Sequence, residues 1–354
     1  MNKLKCLREE LLQKGIDGVI VLDELNQYYL SDFQFSDGLL VITKDAAHLI
    51  TDFRYYEKAL AERNPEFSVV TPKDRWEYIK EALSDCKTVG FEGGFVSYST
   101  YLLFKDKLPE HTLVSVENML SEMRQIKSPE EIAIIQKAQD IADGAFSEIL
   151  SKLSPDMTEQ DVAVEIEYAM RRRGAGGFSF DTIAVSGDAS ALPHGTPRCE
   201  KLKRGFLTMD FGAKYKGYCS DMTRTVVIGK ADADIKKLYN TVLSAQLAAI
   251  DFLREGVDAG EADKIARDII DSNPEYKGAF GHSLGHSVGL NVHETPTLSP
   301  RSFGRNLRVG EILTVEPGIY LFGKYGCRIE DMVCIEKNGV YNFTHSTKEL
   351  IEIY

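Results

Sequence analysis

The feature that most restricts this chain is a strand–turn–strand pattern that occurs twice, each time with one acid on the incoming strand and another on the return. Residues 207–213 and 218–227 flank the polar, glycine-containing turn Lys214-Tyr215-Lys216-Gly217, which reads as a β-hairpin. The first strand carries Asp210 and the second Asp221. A turn centred between Tyr215 and Lys216 predicts that these acids face each other directly, with Cβ atoms about 4.5–5.5 Å apart. Farther on, residues 313–316 run in, 322–326 turn and 328–333 return, which predicts Glu316 beside Glu330. One acid beside a turn is ordinarily solvated. Two hairpins with facing acids need cations between them, because like charges so placed repel.

A histidine-rich segment supplies the missing ligand type. Residues 281–294 hold three of the seven histidines, His282, His286 and His293. Asp210, Asp221, His286, Glu316 and Glu330 together make four carboxylates and one imidazole. That set suits two divalent ions, since some carboxylates can bridge while others bind one ion. Two ions roughly 3.5–4 Å apart can generate hydroxide at neutral pH and clamp both ends of a hydrolytic transition state, so hydrolysis is the first expectation. Other catalytic schemes fit poorly. His293-Glu294 is not a zincin motif, because Thr297 stands where the second histidine is required. There is no G-x-S-x-G elbow, and Cys219 and Cys327 read as small strand residues near the acids.

With 354 residues the chain is long enough for two ordinary domains. A hydrophobic content of 43% and a charged content of 27% describe a soluble globular protein. The net charge of −12 argues against a nucleic-acid partner, whose phosphates would be repelled. No apolar run has the length of a signal-peptide core or a membrane span, so neither a membrane partner nor an export signal is expected. The six dispersed cysteines form no C-x-x-C pair, which suits reduced thiols in the cytoplasm.

The first stretch of the chain alternates helix and strand. Helices are expected over 4–14, 55–63 and 75–83, and strands over 18–22, 38–43, 47–51 and 88–91, giving an α/β domain over residues 1–122. A second domain, 123–354, opens on Ser128-Pro129-Glu130-Glu131, which combines a serine cap, a proline at the first helical position and a glutamate three residues after the cap. A long helix follows to about residue 153, and another from Thr158 to Arg171-Arg172-Arg173. That basic triplet is read as cations complementing a helix C-terminus rather than as an anion site. Strands, two helices (about 233–254 and 260–272) and strands again complete the chain. The order resembles two copies of one α+β unit.

Taken together, these segments resemble the pita-bread metallopeptidases, in the branch that holds prolidase and aminopeptidase P. The resemblance covers essentially the whole chain. Asn26-Gln27-Tyr28-Tyr29-Leu30 and Thr51-Asp52-Phe53-Arg54-Tyr55 look like the creatinase-type N-terminal domain. Phe180-Asp181-Thr182-Ile183-Ala184-Val185-Ser186-Gly187, followed by His194, matches a pattern of the catalytic domain. The fold implied is α+β, a pita-bread catalytic domain behind a smaller creatinase-like α/β domain. By the same resemblance Asp210 chelates one ion, Asp221 and Glu330 bridge both, and His286 with Glu316 holds the other. Manganese is the metal it points to first, with cobalt, iron and zinc also compatible with the ligands. Glu316 shuttles the proton, His293 stabilises the oxyanion and His194 orients the substrate. His282, Tyr320 and Arg328 wall the proline pocket or support it, and Phe178 is an apolar wall. A homodimer is expected on resemblance alone.

The activity so implied is hydrolysis of an Xaa-Pro dipeptide. Two other readings stand beside it: an aminopeptidase P acting on longer Xaa-Pro peptides, and a non-catalytic peptide-binding module. A dipeptidase needs a cation for the proline carboxylate, and Arg301 or Arg305 is placed in the chain to supply it. A binding module would have lost ligands or catalytic histidines, and none is missing.

Overall fold

The computed structural model describes residues 2–116 and 118–354. The chain divides into two compact units at Arg124/Gln125. The first is built on a six-stranded mixed sheet in the order Ser68–Val70, Ala47–Ile50, Leu39–Thr43, Gly18–Val21, Thr88–Phe91, Thr112–Ser115. Gly18–Val21 is buried at every position, which is why its sequence is a continuous apolar run rather than an alternating one. The helices and strands expected in this unit are present within two residues of their expected ends. Helices Glu24–Ser31 and Tyr98–Lys107 and the strands Ser68–Val70 and Thr112–Ser115 were not legible. The two strands are only three and four residues long, and Tyr98–Lys107 gathers its apolar residues in a block, with Leu102 and Leu103 exposed and Phe104 buried. Asn26 and Gln27 are buried and spent on structure: Asn26 Nδ2 donates to Glu92, and Gln27 Nε2 donates to the Leu22 carbonyl.

The second unit has two halves of like construction. In the first, helices Pro129–Lys152 and Glu159–Arg172 pack on a four-stranded sheet in the order Glu352–Ile353, Met222–Ile228, Gly205–Phe211, Ile183–Ser186. In the second, helices Ala233–Phe252 and Ala259–Asp271 accompany a five-stranded sheet in the order Glu294–Leu298, Gly285–Ser287, Ile312–Val315, Asp331–Glu336, Gly339–Asn342. The Ser128 hydroxyl accepts from Glu131 N while the Glu131 carboxylate accepts from Ser128 N, a complete capping box. Such a cap contributes about 1 kcal/mol. The basic triplet works locally, as expected. Arg171 Nη1 donates to the Gly176 carbonyl, and Arg173 Nη1 donates to the Ala169 carbonyl and pairs with Glu148.

Each sheet has an oily face and a polar face, and this division positions the site. Along Gly205–Phe211, Leu207, Met209 and Phe211 enter the core with the first helix pair. Strand alternation therefore turns Thr208 and Asp210 the other way. Along Met222–Ile228, Met222, Val226 and Ile228 join the same core, leaving Thr223 and Thr225 beside Asp210. In the second half, Leu313, Val315, Val333 and Ile335 are core residues, so Thr314, Glu316 and Glu330 lie on the reverse face. The polar faces meet: Thr225 Oγ1 donates to the Arg328 carbonyl at 2.8 Å, and Glu330 N donates to the Thr223 carbonyl at 3.1 Å. Among the described residues no helix is long and apolar enough to cross a membrane.

Candidate metal centre

Three of the four acids occupy breaks in strands. Asp221 lies between Tyr218–Cys219 and Met222–Ile228, Glu316 between Ile312–Val315 and Gly318–Leu321, and Glu330 between Tyr325–Arg328 and Asp331–Glu336. Asp210 is the next-to-last residue of Gly205–Phe211, and His286 is central in Gly285–Ser287. Close backbone approach makes room for the ligands. A Cβ on Gly212 would stand 1.9 Å from the Ser220 carbonyl oxygen, and one on Gly285 2.0 Å from that of Thr314. No other residue type fits either place.

The first hairpin corrects the expected register. Tyr215 pairs with Tyr218, so the turn is centred on Lys216-Gly217, both with positive φ (45° and 79°). Asp210 consequently pairs with Thr223, not with Asp221. The two acids are offset by two residues, which keeps them on one face but diagonal to one another. The second hairpin follows expectation. Val315 pairs with Asp331 on one side of the break and Gly318 with Arg328 on the other, which brings Glu316 opposite Glu330.

Ligand atoms of Asp221, His286 and Glu330 all lie within 4.8 Å of one another. His286 Nε2 is 3.4 Å from Glu316 Oε1 and 3.7 Å from Asp221 Oδ2. The other ring nitrogen, Nδ1, is 3.2 Å from the Ser287 carbonyl and donates to it, which leaves the Nε2 lone pair for a ligand. Burial, with His293 close by, lowers the His286 pKa to about 4, so the imidazole is neutral at neutral pH.

The acids are short of positive charge. Burial, then Glu330 and Asp210, raises Asp221 well above the usual carboxylate range. Burial, then Glu316 and Asp210, does the same to Glu330. Burial pushes Glu316 up to about 8, with Arg328 opposing and Asp210 adding to the shift. Asp210 Oδ1 is buried and has no hydrogen-bond partner among the described residues. A dense carboxylate set with one neutral imidazole and an orphaned oxygen is what divalent cations would neutralise, so these residues fit a metal pair. Asp210 Oδ2 accepts from Arg328 Nη2 at 2.7 Å. Oδ1 is therefore its open donor, and chelation through both oxygens would require Oδ2 to serve Arg328 as well.

Arg328 is the hub of a buried network that reaches Tyr320 and His282. Its Nη1 donates to the Tyr320 hydroxyl at 2.7 Å and its Nε to Thr223 Oγ1 at 3.0 Å; Thr223 in turn donates to Glu330 Oε2 at 2.7 Å. His282 Nδ1 donates to the Ser283 carbonyl, so its Nε2 accepts from the Tyr320 hydroxyl at 3.0 Å. Burial first, then Arg328, lowers His282 to about 4 and keeps it neutral. His293 is exposed, with its ring centroid 4.4 Å from that of His286. His194 is also exposed, on the segment between Gly187–Ala191 and Gly205–Phe211.

Phe178 lies on the two-residue strand Gly177–Phe178, packed against the core of the first half with the Arg171 guanidinium 4.7 Å from its ring centroid. Arg301 is exposed in the turn after Glu294–Leu298. Arg305 is already committed: both of its terminal nitrogens pair with the buried carboxylate of Glu311, which removes it as a partner for a substrate carboxylate.

Sequence reasoning missed several supporting residues. Thr223 ties Arg328 to Glu330, and its signal was a hydroxyl at alternate positions of an apolar strand, Met222-Thr223-Arg224-Thr225. Arg224, 1% exposed, donates to the Glu330 carbonyl at 2.5 Å and pairs with Asp331 at 2.8 Å. Burial pushes the Asp331 carboxyl up, but Arg224 and Lys348 outweigh it and hold the pKa below the usual range. Glu159 accepts from Ser186 N, Ser186 Oγ and Arg198 Nε at 2.7, 2.8 and 2.8 Å, fixing both ends of the segment that bears His194.

Comparison with known proteins identifies the family. Residues 133–337 match metallopeptidase family M24, and residues 3–126 match the creatinase/prolidase N-terminal domain. The chain is 37% identical to an Xaa-Pro dipeptidase of Pyrococcus furiosus over 99% of both chains. It is similar in structure to an Xaa-Pro dipeptidase from Bacillus anthracis (TM-score 0.95, 38% identity, 99% of both chains). It is also similar to an X-Pro aminopeptidase from Thermotoga maritima (TM-score 0.91, 35% identity, 96% of this chain and 98% of that one). On these matches the chain belongs to metallopeptidase family M24, with a creatinase/prolidase-type domain ahead of its catalytic domain.

Proposed function

We propose that this chain is an Xaa-Pro dipeptidase working with two divalent metal ions. The observation that carries the proposal is the buried cluster of Asp221, His286 and Glu330, with Glu316 against the imidazole and Asp210 offering an orphaned oxygen. The full-length likeness to Xaa-Pro dipeptidases supports the substrate class. By the family resemblance Asp221 and Glu330 would serve both ions, Asp210 would hold one, and His286 with Glu316 would hold the other. Manganese is the favoured metal; the oxygen-rich donor set also accepts cobalt, iron or zinc. When bound, the ions supply hydroxide at neutral pH and polarise the scissile carbonyl.

The chain's own residues do the rest. Glu316, ionised once cations neutralise the site, takes a proton from the attacking water at a carboxylate oxygen and delivers it to the departing proline nitrogen. His293, exposed beside His286, donates to the carbonyl oxygen as negative charge develops there. His194 orients the substrate from the segment that Glu159 anchors. Proline has no backbone N–H, so recognition must come from shape and from the carbonyl groups. His282, Tyr320 and Arg328, locked by mutual hydrogen bonds, form a rigid wall for the ring. The dispersed cysteines are consistent with a cytoplasmic location, and family resemblance favours a homodimer acting on proline-containing peptides.

The test is hydrolysis of Xaa-Pro and Xaa-Pro-Yaa by the manganese-loaded protein, measured side by side. Faster cleavage of the dipeptide supports the proposal. Faster cleavage of tripeptides and longer peptides moves the assignment to aminopeptidase P.

A further inference from the structure

Lys127 stands outside the ligand set, yet its ammonium lies between the two segments that carry His286 and His293. Its side chain is 1% exposed, and Nζ donates to Ser287 Oγ at 3.2 Å and to Glu294 Oε2 at 3.3 Å. Ser287 directly follows His286, and Glu294 directly follows His293. Ser287 and Glu294 are also register partners, at the point where the ladder slips between His286 and Ser287. The chain therefore leaves the sheet and returns to it at the two residues that Lys127 ties together.

Glu294 closes the loop from within. Its Oε1 accepts from Asn291 N at 3.1 Å, and a Cβ on Gly289 would stand 2.6 Å from its Oε2. The strap that bears Lys127 is fixed in turn, since Lys127 N donates to the Gly310 carbonyl at 2.9 Å and Gln125 Nε2 donates to Thr295 Oγ1 at 3.1 Å. An ion pair this far from water recovers little net stability after desolvation. What it supplies is a fixed separation of the two loop ends, and hence of two imidazoles whose centroids are 4.4 Å apart.

We infer that Lys127 is a positioning residue: by tying Ser287 to Glu294 it sets the spacing of His286 and His293 and so places His293 for the reaction. The inference rests on the role of His293 proposed above. A misplacement of about 1 Å can cost up to 10²-fold in rate.

Lys127→Met and Glu294→Gln are each made alone and in a His293→Ala background, and kcat, KM and bound metal are measured with an Xaa-Pro dipeptide. In the otherwise wild-type enzyme each substitution is expected to lower kcat by about ten-fold or more, with KM within about two-fold and metal content unaltered. In the His293→Ala background the same substitution is expected to change kcat by less than about two-fold, because the group it positions is gone. Independent losses that multiply in the combined variant overturn the inference. If Lys127→Met does not fold, Glu294→Gln, which keeps the shape of the contact, carries the same comparison. In metal-free protein the His293 imidazole NMR signals shift on substitution while those of His48 stay in place; unaltered His293 signals also overturn the inference. A wild type in which His293→Ala leaves kcat unaltered instead removes the role assigned to His293, a separate failure.

Discussion

Glu316 and Glu330 stand opposite one another at a shared break between two strand ladders, with Val315 paired to Asp331 on one side and Gly318 to Arg328 on the other. The break frees both acids from the regular ladder without disturbing the register that opposes them. Asp210 and Asp221 achieve a looser version of the same thing, two residues out of direct opposition. Asp221, Glu316 and Glu330 then lie around His286.

The proposal gives His286 to the metal and His293 to the substrate. His286→Ala is expected to lose bound metal, because its Nε2 faces Asp221 and Glu316. His293→Ala is expected to keep metal content near normal and to lower kcat by roughly 10²–10³, the range for an oxyanion donor. Metal analysis and steady-state kinetics on the two variants check this; the reverse pattern would exchange their roles.

Stability of the metal-free protein should depend on pH in an unusual direction. Glu316 is pushed to about 8 and Asp221 and Glu330 are also raised, so the folded chain holds protons that the unfolded chain releases near pH 4.3. Unfolding therefore releases protons, and the stability these acids contribute is lost as pH rises toward 8. His286 is lowered to about 4, so its contribution falls away as pH drops below about 6.5 and is constant above it. The Tm of chelated protein is thus expected to fall between pH 6.5 and 8, and added divalent ion to flatten the slope. A Tm that climbs over that window in the chelated protein contradicts the charge balance described for the site.

Much of this site was legible because its chemistry is local in the sequence. The capping box at Ser128 was readable since cap and acid lie three residues apart and need no tertiary information. The second hairpin was placed correctly, and the first was misplaced by two residues because Lys216 takes a left-handed conformation that favours glycine or asparagine. A two-residue error preserves the face, so Asp210 and Asp221 still share one side of the sheet while the expected partner of Asp210 does not hold. Thr223, Arg224 and Lys127 were illegible for another reason. Their partners Glu330, Asp331 and Glu294 lie more than 100 residues away, and neither spacing nor periodicity reports such contacts.

Substrate length is expected to depend on Arg301 if that side chain meets the proline carboxylate. With Arg305 bound to Glu311 and Arg328 engaged by Asp210 and Tyr320, Arg301 is the arginine left from the sequence reading to meet a proline carboxylate. Arg301→Ala is expected to raise KM for Xaa-Pro about ten-fold more than for Xaa-Pro-Yaa, in keeping with a charge-assisted hydrogen bond of about 1.5–3 kcal/mol. Equal changes for both substrates would remove Arg301 from the pocket.

The proposed two-ion centre shared by Asp221 and Glu330 is tested most directly by the number of manganese ions bound per chain in the wild type and in Asp221→Ala. Two ions in the wild type, with weakened binding at both sites in the variant, is the predicted result. One ion in the wild type, or two fully occupied sites in Asp221→Ala, would contradict it.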